Sequence, residues 1–352
     1  MDRRDFIKVS GLATAGFAIP GLKAEAKVHN QEQAIAKSFT FNSKGKFKIL
    51  QITDTHYIIG DERSSHVRDN ITYWVQTERP DLIIHTGDVV NDGNRARKDG
   101  EESMRLVLGW LADFKIPFAV TLGNHDGQYE LSRSEMFKVI KDIPYNINEG
   151  SKGVYGDSND VITLSATPGG VPQWVFYLFD SGDTTDIPMR EGRQYDYIHF
   201  DQIGWYRDWS SHFTAINSGK PIPSIAFQHI PVPEITYALR DRIRLIKGNL
   251  GEEPGVPAVN SGLVANIKEM GDIKAMVFGH DHDCDFVTKW KDIFLMHGRF
   301  SGGDTVYNDL KPCGARVFEF TKGQTSFRSW IRLIGGDIIQ NLRYPEDFDY
   351  YG

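Results

Sequence analysis

Cysteine is nearly absent: Cys284 and Cys313 are the whole thiol inventory of 352 residues. So few thiols exclude a disulfide-stapled scaffold. In an exported protein the two could pair, or they could stand as separate thiols, and sequence spacing leaves both open. Basic charge is short as well. Lys and Arg number 40 against 47 Asp and Glu, a net charge of −7. That argues against a stable nucleic-acid partner or an anionic membrane surface. No internal repeat or low-complexity tract is present, which sets aside solenoids and linker-rich chains.

What remains is an ordinary soluble composition, 40% apolar and 25% charged, with 12% aromatic residues that suit a core of packed sheets. A chain of this length can bury a sizeable core as one large α/β domain or two smaller ones. The N-terminus stands apart. Arg3 and Arg4 precede a mild apolar stretch from Val9 to Leu22, and Ala24-Glu25-Ala26 follows as a small-residue cleavage site. With Phe6 and Lys8 in place, the pattern resembles a twin-arginine export signal. The stretch is too short and too rich in Gly and Ala to span a bilayer, so no membrane anchor is expected. Residues 1–26 read as an export leader, 27–38 as a linker and 39–352 as one domain, in a protein exported to the periplasm or beyond.

Short apolar runs then alternate with longer amphipathic ones. Buried strands are expected at 47–53, 81–86, 117–122, 174–179, 224–229, 274–279 and 293–298. Helices are expected at 65–78, 101–114, 131–141, 200–215 and 261–270. Such alternation points to an α/β fold with substantial parallel sheet. "ARVFEF" and "SFRSWIRLI" read as a closing β-hairpin. The polar, Gly-rich stretches 143–173 and 181–198 read as loops bordering the active face.

Five of the apolar runs end in metal-type residues: Asp54 and His56; Asp88; Asn124 and His125; His229; His280 and His282. In α/β sheets, ligands bind at the carboxyl ends of strands. Imidazole, carboxylate and amide oxygen form a borderline-to-hard set that suits Fe, Mn or Zn. Seven candidate ligands are too many for one tetrahedral ion and suit two ions sharing a carboxylate. Two such ions ~3.5–4 Å apart can hold a hydroxide and clamp a phosphoryl group for in-line displacement.

The ordered pattern D-x-H, GD, GNH, lone H, GH-x-H resembles the calcineurin-like metallophosphoesterases. "HIPVPE", "VNSGL", "GHDHDCDF", "GRFSGG" and "GARVFEF" bring it nearest a purple-acid-phosphatase-like branch. The resemblance implies a double β-sandwich flanked by helices, a four-layer αββα arrangement. It implies that Asp54, His56 and His282 hold one metal ion, that Asn124, His229 and His280 hold the second, and that Asp88 bridges them. His125 would stand over the site to stabilise phosphoryl oxygens or protonate the leaving oxygen. The implied activity is hydrolysis of a small phosphate ester, a monoester first and a diester as the alternative. On an extended segment His280 and His282 would share one side and Asp281 would point away.

Two departures matter. Purple phosphatases carry a ligand tyrosine three residues beyond the bridging Asp, where this chain has Asn91. No tyrosinate-to-iron colour is therefore expected. Related phosphatases place an Asp there to orient the catalytic histidine; here it is Asn91, with Asp92 next door, so the partner of His125 is left open. A metallo-β-lactamase H-x-H-x-D-H would need Asp at Cys284 and His at Asp285, and that reading fails. A structural zinc site needs four ligands, not seven. A metal-binding scaffold without turnover is the non-enzyme alternative. Of the other polar residues, Asp180 and Ser181 read as a turn, His85 and His297 as structural, Arg299 as a candidate phosphate contact, and Tyr195 and Tyr197 as candidates for the mouth.

Overall fold

The computed structural model describes residues 37–91, 99–128, 130–185, 187, 194–240 and 247–347. Among the described residues thirteen strands form two sheets. The first runs β1 (Lys37–Thr40), β5 (Asp160–Ser165), β6 (Pro172–Leu178), β7 (Ser224–Phe227), β8 (Ile273–Phe278), β10 (Ile293–His297), β9 (Val287–Trp290). The second runs β13 (Ile338–Tyr344), β12 (Phe327–Leu333), β11 (Gly314–Thr321), β2 (Lys46–Ile52), β3 (Leu82–His85), β4 (Phe118–Val120).

Side-chain alternation explains the layers. On β2, Ile49 joins an inter-sheet core with Ile84, Phe176, Phe227 and Val277. Its neighbours Leu50 and Ile52 face the opposite way and pack with residues of α1 (Val67–Glu78), α2 (Gly100–Asp113) and α3 (Arg133–Lys141). On the other sheet, Tyr177 and Met276 turn outward onto α4 (Phe200–Ile216) and α5 (Leu263–Met270). Strands buried on both faces read as continuous apolar runs, as in "LIIH" and "SIAF". The result is helix, sheet, sheet, helix.

Some sequence expectations need correction. The 143–173 stretch is not all loop. It holds β5, whose "DVITLS" is buried throughout, and the first residues of β6. Its Asp, Thr and Ser hid a strand that pairs with β6 along its length. The closing hairpin gains a third strand, β13, and β9 was also unanticipated. β1 takes in Lys37 and Ser38 from the segment read as linker, where Phe39 packs on Phe47 with ring centroids 5.6 Å apart. Cys284 and Cys313 are separate buried thiols in different cores. The leader, the rest of the linker and Asp92 lie outside the described residues. Among the described residues no helix is long and apolar enough to cross a membrane.

Candidate active site

β2, β3 and β4 are mutually parallel, and so are β7 and β8. The residues just beyond their carboxyl ends are the candidate ligands, and they meet at one edge of the sandwich. Backbone bonds continue the sheets into these turns: Asp54 N donates to Gly87 O at 3.0 Å, and Gly279 N to His229 O at 3.1 Å.

Two ligand clusters result. Asp54, His56 and His282 form one, and Asp88, His229 and His280 the other, with the ligand atoms inside each within 4.8 Å of one another. Asp88 Oδ2 reaches both, 3.1 Å from His229 Nε2 and 3.5 Å from His56 Nε2. Asn124 Oδ1 lies 3.1 Å from His229 Nε2. All seven side chains that the sequence singled out as ligands are thus brought together. His280 and His282 arrive differently from expected. His280 has φ 77, so the segment is a turn rather than an extended strand. The turn, not alternation, sends the two rings to different clusters. Asp281 does point away, accepting from His297 Nε2 at 2.7 Å and from Gly255 N at 2.7 Å.

The backbone is strained where the candidate ligands sit. Asp54, His56, Asp88 and His280 all have positive φ, 54, 41, 51 and 77. Each such residue costs of order 1–3 kcal/mol and persists only where the surroundings enforce it. Close approach also explains two motif glycines. A Cβ on Gly123 would collide with the Asp88 carboxylate, and one on Gly279 with Thr53 Oγ1 and with Asp54 Oδ2 at 2.7 Å.

The donor set fits cations. His229 Nδ1 lies 2.7 Å from Thr86 O, an acceptor, so Nδ1 carries the hydrogen and Nε2 presents a lone pair. That lone pair faces Asp88 Oδ2 and Asn124 Oδ1, both acceptors. His282 Nδ1 likewise meets Tyr307 O at 3.1 Å, leaving its Nε2 lone pair 3.0 Å from His56 Nε2. Lone pairs aimed at lone pairs repel unless a positive charge lies between them. Burial pushes His280 down to about 3 and His282 down to about 4, so both rings are neutral at pH 7, the form a metal ligand requires. Burial pushes Asp54 up to about 7. Burial would lower His229 too, but with no cation bound the Asp88 carboxylate overrides it and holds that ring up at about 9, so a proton on Nε2 then supplies the positive charge between Nε2 and Asp88 that a metal ion would otherwise supply.

His125 differs from these groups. Its backbone N–H donates to Asp88 Oδ1 at 2.8 Å, its Nε2 lies 4.0 Å from Asp88 Oδ2, and its ring is partly exposed. Its Nδ1 lies 3.1 Å from Gln128 Oε1, whereas Asn91 Nδ2 donates to Thr305 O at 3.3 Å. Gln128 was missed in the sequence because a neutral amide in "GNHDGQ" carries no ligand signal. Asp126 was missed too. Fully buried, it accepts backbone N–H bonds from Asp88, Val89, Val90 and Gly123, locking the bridging turn to the Asn124 turn.

The remaining candidates sort plainly. Ser181 Oγ accepts from Ile230 N at 3.0 Å, beside His229, and Asp180 pairs with Arg133, which also donates to Gly123 O. Both support the site as well as shaping a turn. Arg299 is buried against Asp285 at 2.6 Å and cannot meet a phosphate. His85 contacts Thr55 Oγ1 and Gly87 N inside the fold, and His297 serves Asp281. Tyr195 stands edge-on to His280, with centroids 4.5 Å apart, whereas Tyr197 stacks on His199 instead.

Two face-to-face sheets flanked by helices, with paired His and carboxylate clusters at one edge, form a metallophosphoesterase architecture. Residues 47–284 match the calcineurin-like phosphoesterase family, and the chain belongs to that family. It is 30% identical over 329 residues to "Probable inactive purple acid phosphatase 14" of Arabidopsis thaliana, covering 84% of this chain and 80% of that protein. It is 25% identical over 325 residues to "Phosphatase DCR2" of Saccharomyces cerevisiae, covering 83% of this chain and 54% of that protein. The solved structure of a dimetal phosphatase from Danio rerio matches in fold with a TM-score of 0.58 at 13% identity, covering 84% of this chain and 98% of that one.

Proposed function

We propose that the protein hydrolyses phosphoric esters, phosphomonoesters first, at a centre of two metal ions. The observation that carries this reading is the pair of three-residue clusters joined through Asp88, with acceptor atoms facing one another. Asp54, His56 and His282 would hold one ion, Asn124, His229 and His280 the other, and Asp88 would bridge. Ions of the Fe, Mn or Zn class suit this mixed set. When bound, such a pair supplies Lewis acidity and brings water to a pKa near ~7.

The chain's own groups do the rest. The tautomers fixed by Thr86 O and Tyr307 O aim imidazole lone pairs inward. Partly exposed His125 is placed to meet phosphoryl oxygens or to give a proton to the leaving oxygen. No nucleophilic Ser or Cys is required. The monoester preference draws on relatives named as phosphatases. One of those relatives is named as probably inactive; this chain keeps every ligand type of the motif set.

The test is a turnover screen of aryl mono- and bis-phosphates, with Mn, Fe or Zn restored to chelated protein. Faster release from monoesters supports the proposal, and faster release from bis-esters makes the protein a diesterase. Full metal occupancy with no turnover on either would make it a metal-binding scaffold.

A further inference from the structure

We propose that Gln128, held by Asp183, is a positioning residue that fixes the His125 ring over the dinuclear centre. The proposal rests on the reading of His125 given above.

The hydrogen bonds of Gln128 orient each group in turn. One end of the Gln128 amide lies 2.7 Å from Asn124 O and 3.2 Å from Asp183 Oδ1. A carbonyl and a carboxylate can only accept, so that end is the NH2 group. The other end, Oε1, therefore faces the His125 ring at 3.1 Å. An amide oxygen only accepts, so His125 Nδ1 carries a hydrogen. The other ring nitrogen, Nε2, is turned toward the bridging carboxylate, 4.0 Å from Asp88 Oδ2.

The relay crosses the sandwich. Gln128 follows β4 in one sheet, and Asp183 follows β6 in the other. β6 supplies none of the seven candidate ligands, so its end has a different task. The two turns are bolted together nearby. Arg133 donates to Gly123 O and pairs with Asp180, whose Oδ1 also accepts from Gly182 N at 3.0 Å. This gives "LFDSGD" its place: Asp180 holds the turn, Ser181 braces the His229 segment and Asp183 orients Gln128. A partly exposed ring on a turn needs such a brace, because misplacing a reacting group by about 1 Å can cost on the order of 10²-fold in rate.

The experiment is a mutant cycle read by steady-state kinetics and metal analysis of the full-length, metal-loaded protein. Gln128→Leu should lower kcat about 10–100-fold, as loss of an outer partner does, with KM within about threefold and both ions kept. In a His125→Ala background the same change should do nothing further, because Gln128 acts through that ring. Asp183→Ala should lower kcat in the same direction, and Asp183→Asn should recover part of the loss, since an amide oxygen still accepts from Gln128. Should Gln128→Leu fold poorly, Gln128→Met keeps the shape without the hydrogen bonds.

The proposal is overturned if Gln128→Leu and Gln128→Met keep wild-type kcat. It is also overturned if Gln128→Leu lowers kcat by the same factor with and without His125, or if it strips the metal. An active His125→Ala variant would instead overturn the function assigned to His125, so the two failures are distinct.

Discussion

The Nε2 atoms of His56 and His282 lie 3.0 Å apart, and the Tyr307 carbonyl on the far side of His282 leaves its Nε2 a bare lone pair. With Asp54 Oδ1 3.8 Å from the Nε2 of each ring, three candidate ligand atoms lie around one point. Metal should therefore stabilise the fold. Thermal melts of chelated protein should show a lower Tm, restored by stepwise Mn or Zn. Metal at 100–1,000 times its Kd should add about 3–4 kcal/mol. A Tm indifferent to both chelator and metal would contradict the ligand assignment.

Asp88 and His125 touch but should fail differently. His125→Ala should keep both ions and lose roughly 10²–10⁴-fold in turnover, the usual worth of a placed acid or base. Asp88→Ala should lose metal and turnover together, because Asp88 Oδ2 faces both clusters. Elemental analysis beside kinetics separates the two. Full activity in His125→Ala on a small aryl ester would remove its assigned role.

The Asp281–His297 bond underlies the GHDH turn. Asp281 is buried between the two candidate ligands and also holds Gly255 N, so the turn depends on that carboxylate being matched. His297→Phe leaves a buried acid short of a donor and should cost about 3 kcal/mol in urea unfolding. The double change Asp281→Leu with His297→Phe should regain part of that, as apolar pairs often replace buried polar ones. If His297→Phe alone left stability unchanged, the bond would be incidental.

The strands that carry candidate ligands were legible because each buried run stops at a residue no core tolerates unpaired, as "AMVFG" stops at His280. β5 was not, since "DVITLS" satisfies its polar side chains locally. Asp160 takes the Glu149 and Gly150 N–H groups, and Ser165 Oγ donates to Gly170 O. Ligand types were legible one by one. Their approach was not, because φ 77 at His280 is imposed by contacts such as its N–H to Asp54 at 3.1 Å, from 226 residues away in sequence. Gln128 and Asp183 become partners only when two sheets meet, and nothing local announces it.

Asp160 offers a pH test remote from the ligands. Burial pushes its carboxyl up to about 6 from an ordinary 3.8, despite bonds from Asn148, Glu149 and Gly150. The folded chain then holds this proton more tightly than the unfolded chain does. The group's stabilising contribution is full below pH 3.8 and is lost as pH rises through about 6. The shift corresponds to about 3 kcal/mol between those limits. Asp160→Asn removes the titration and leaves one pH-independent cost, an amide NH2 facing Asn148 Nδ2. Urea unfolding of wild type and variant should give a stability difference that moves against the wild type as pH rises from 4.5 to 7. Contributions from Asp54 and Asp126 are common to both proteins and cancel. A difference that stays flat over this range would show that Asp160 does not carry its proton into the folded state.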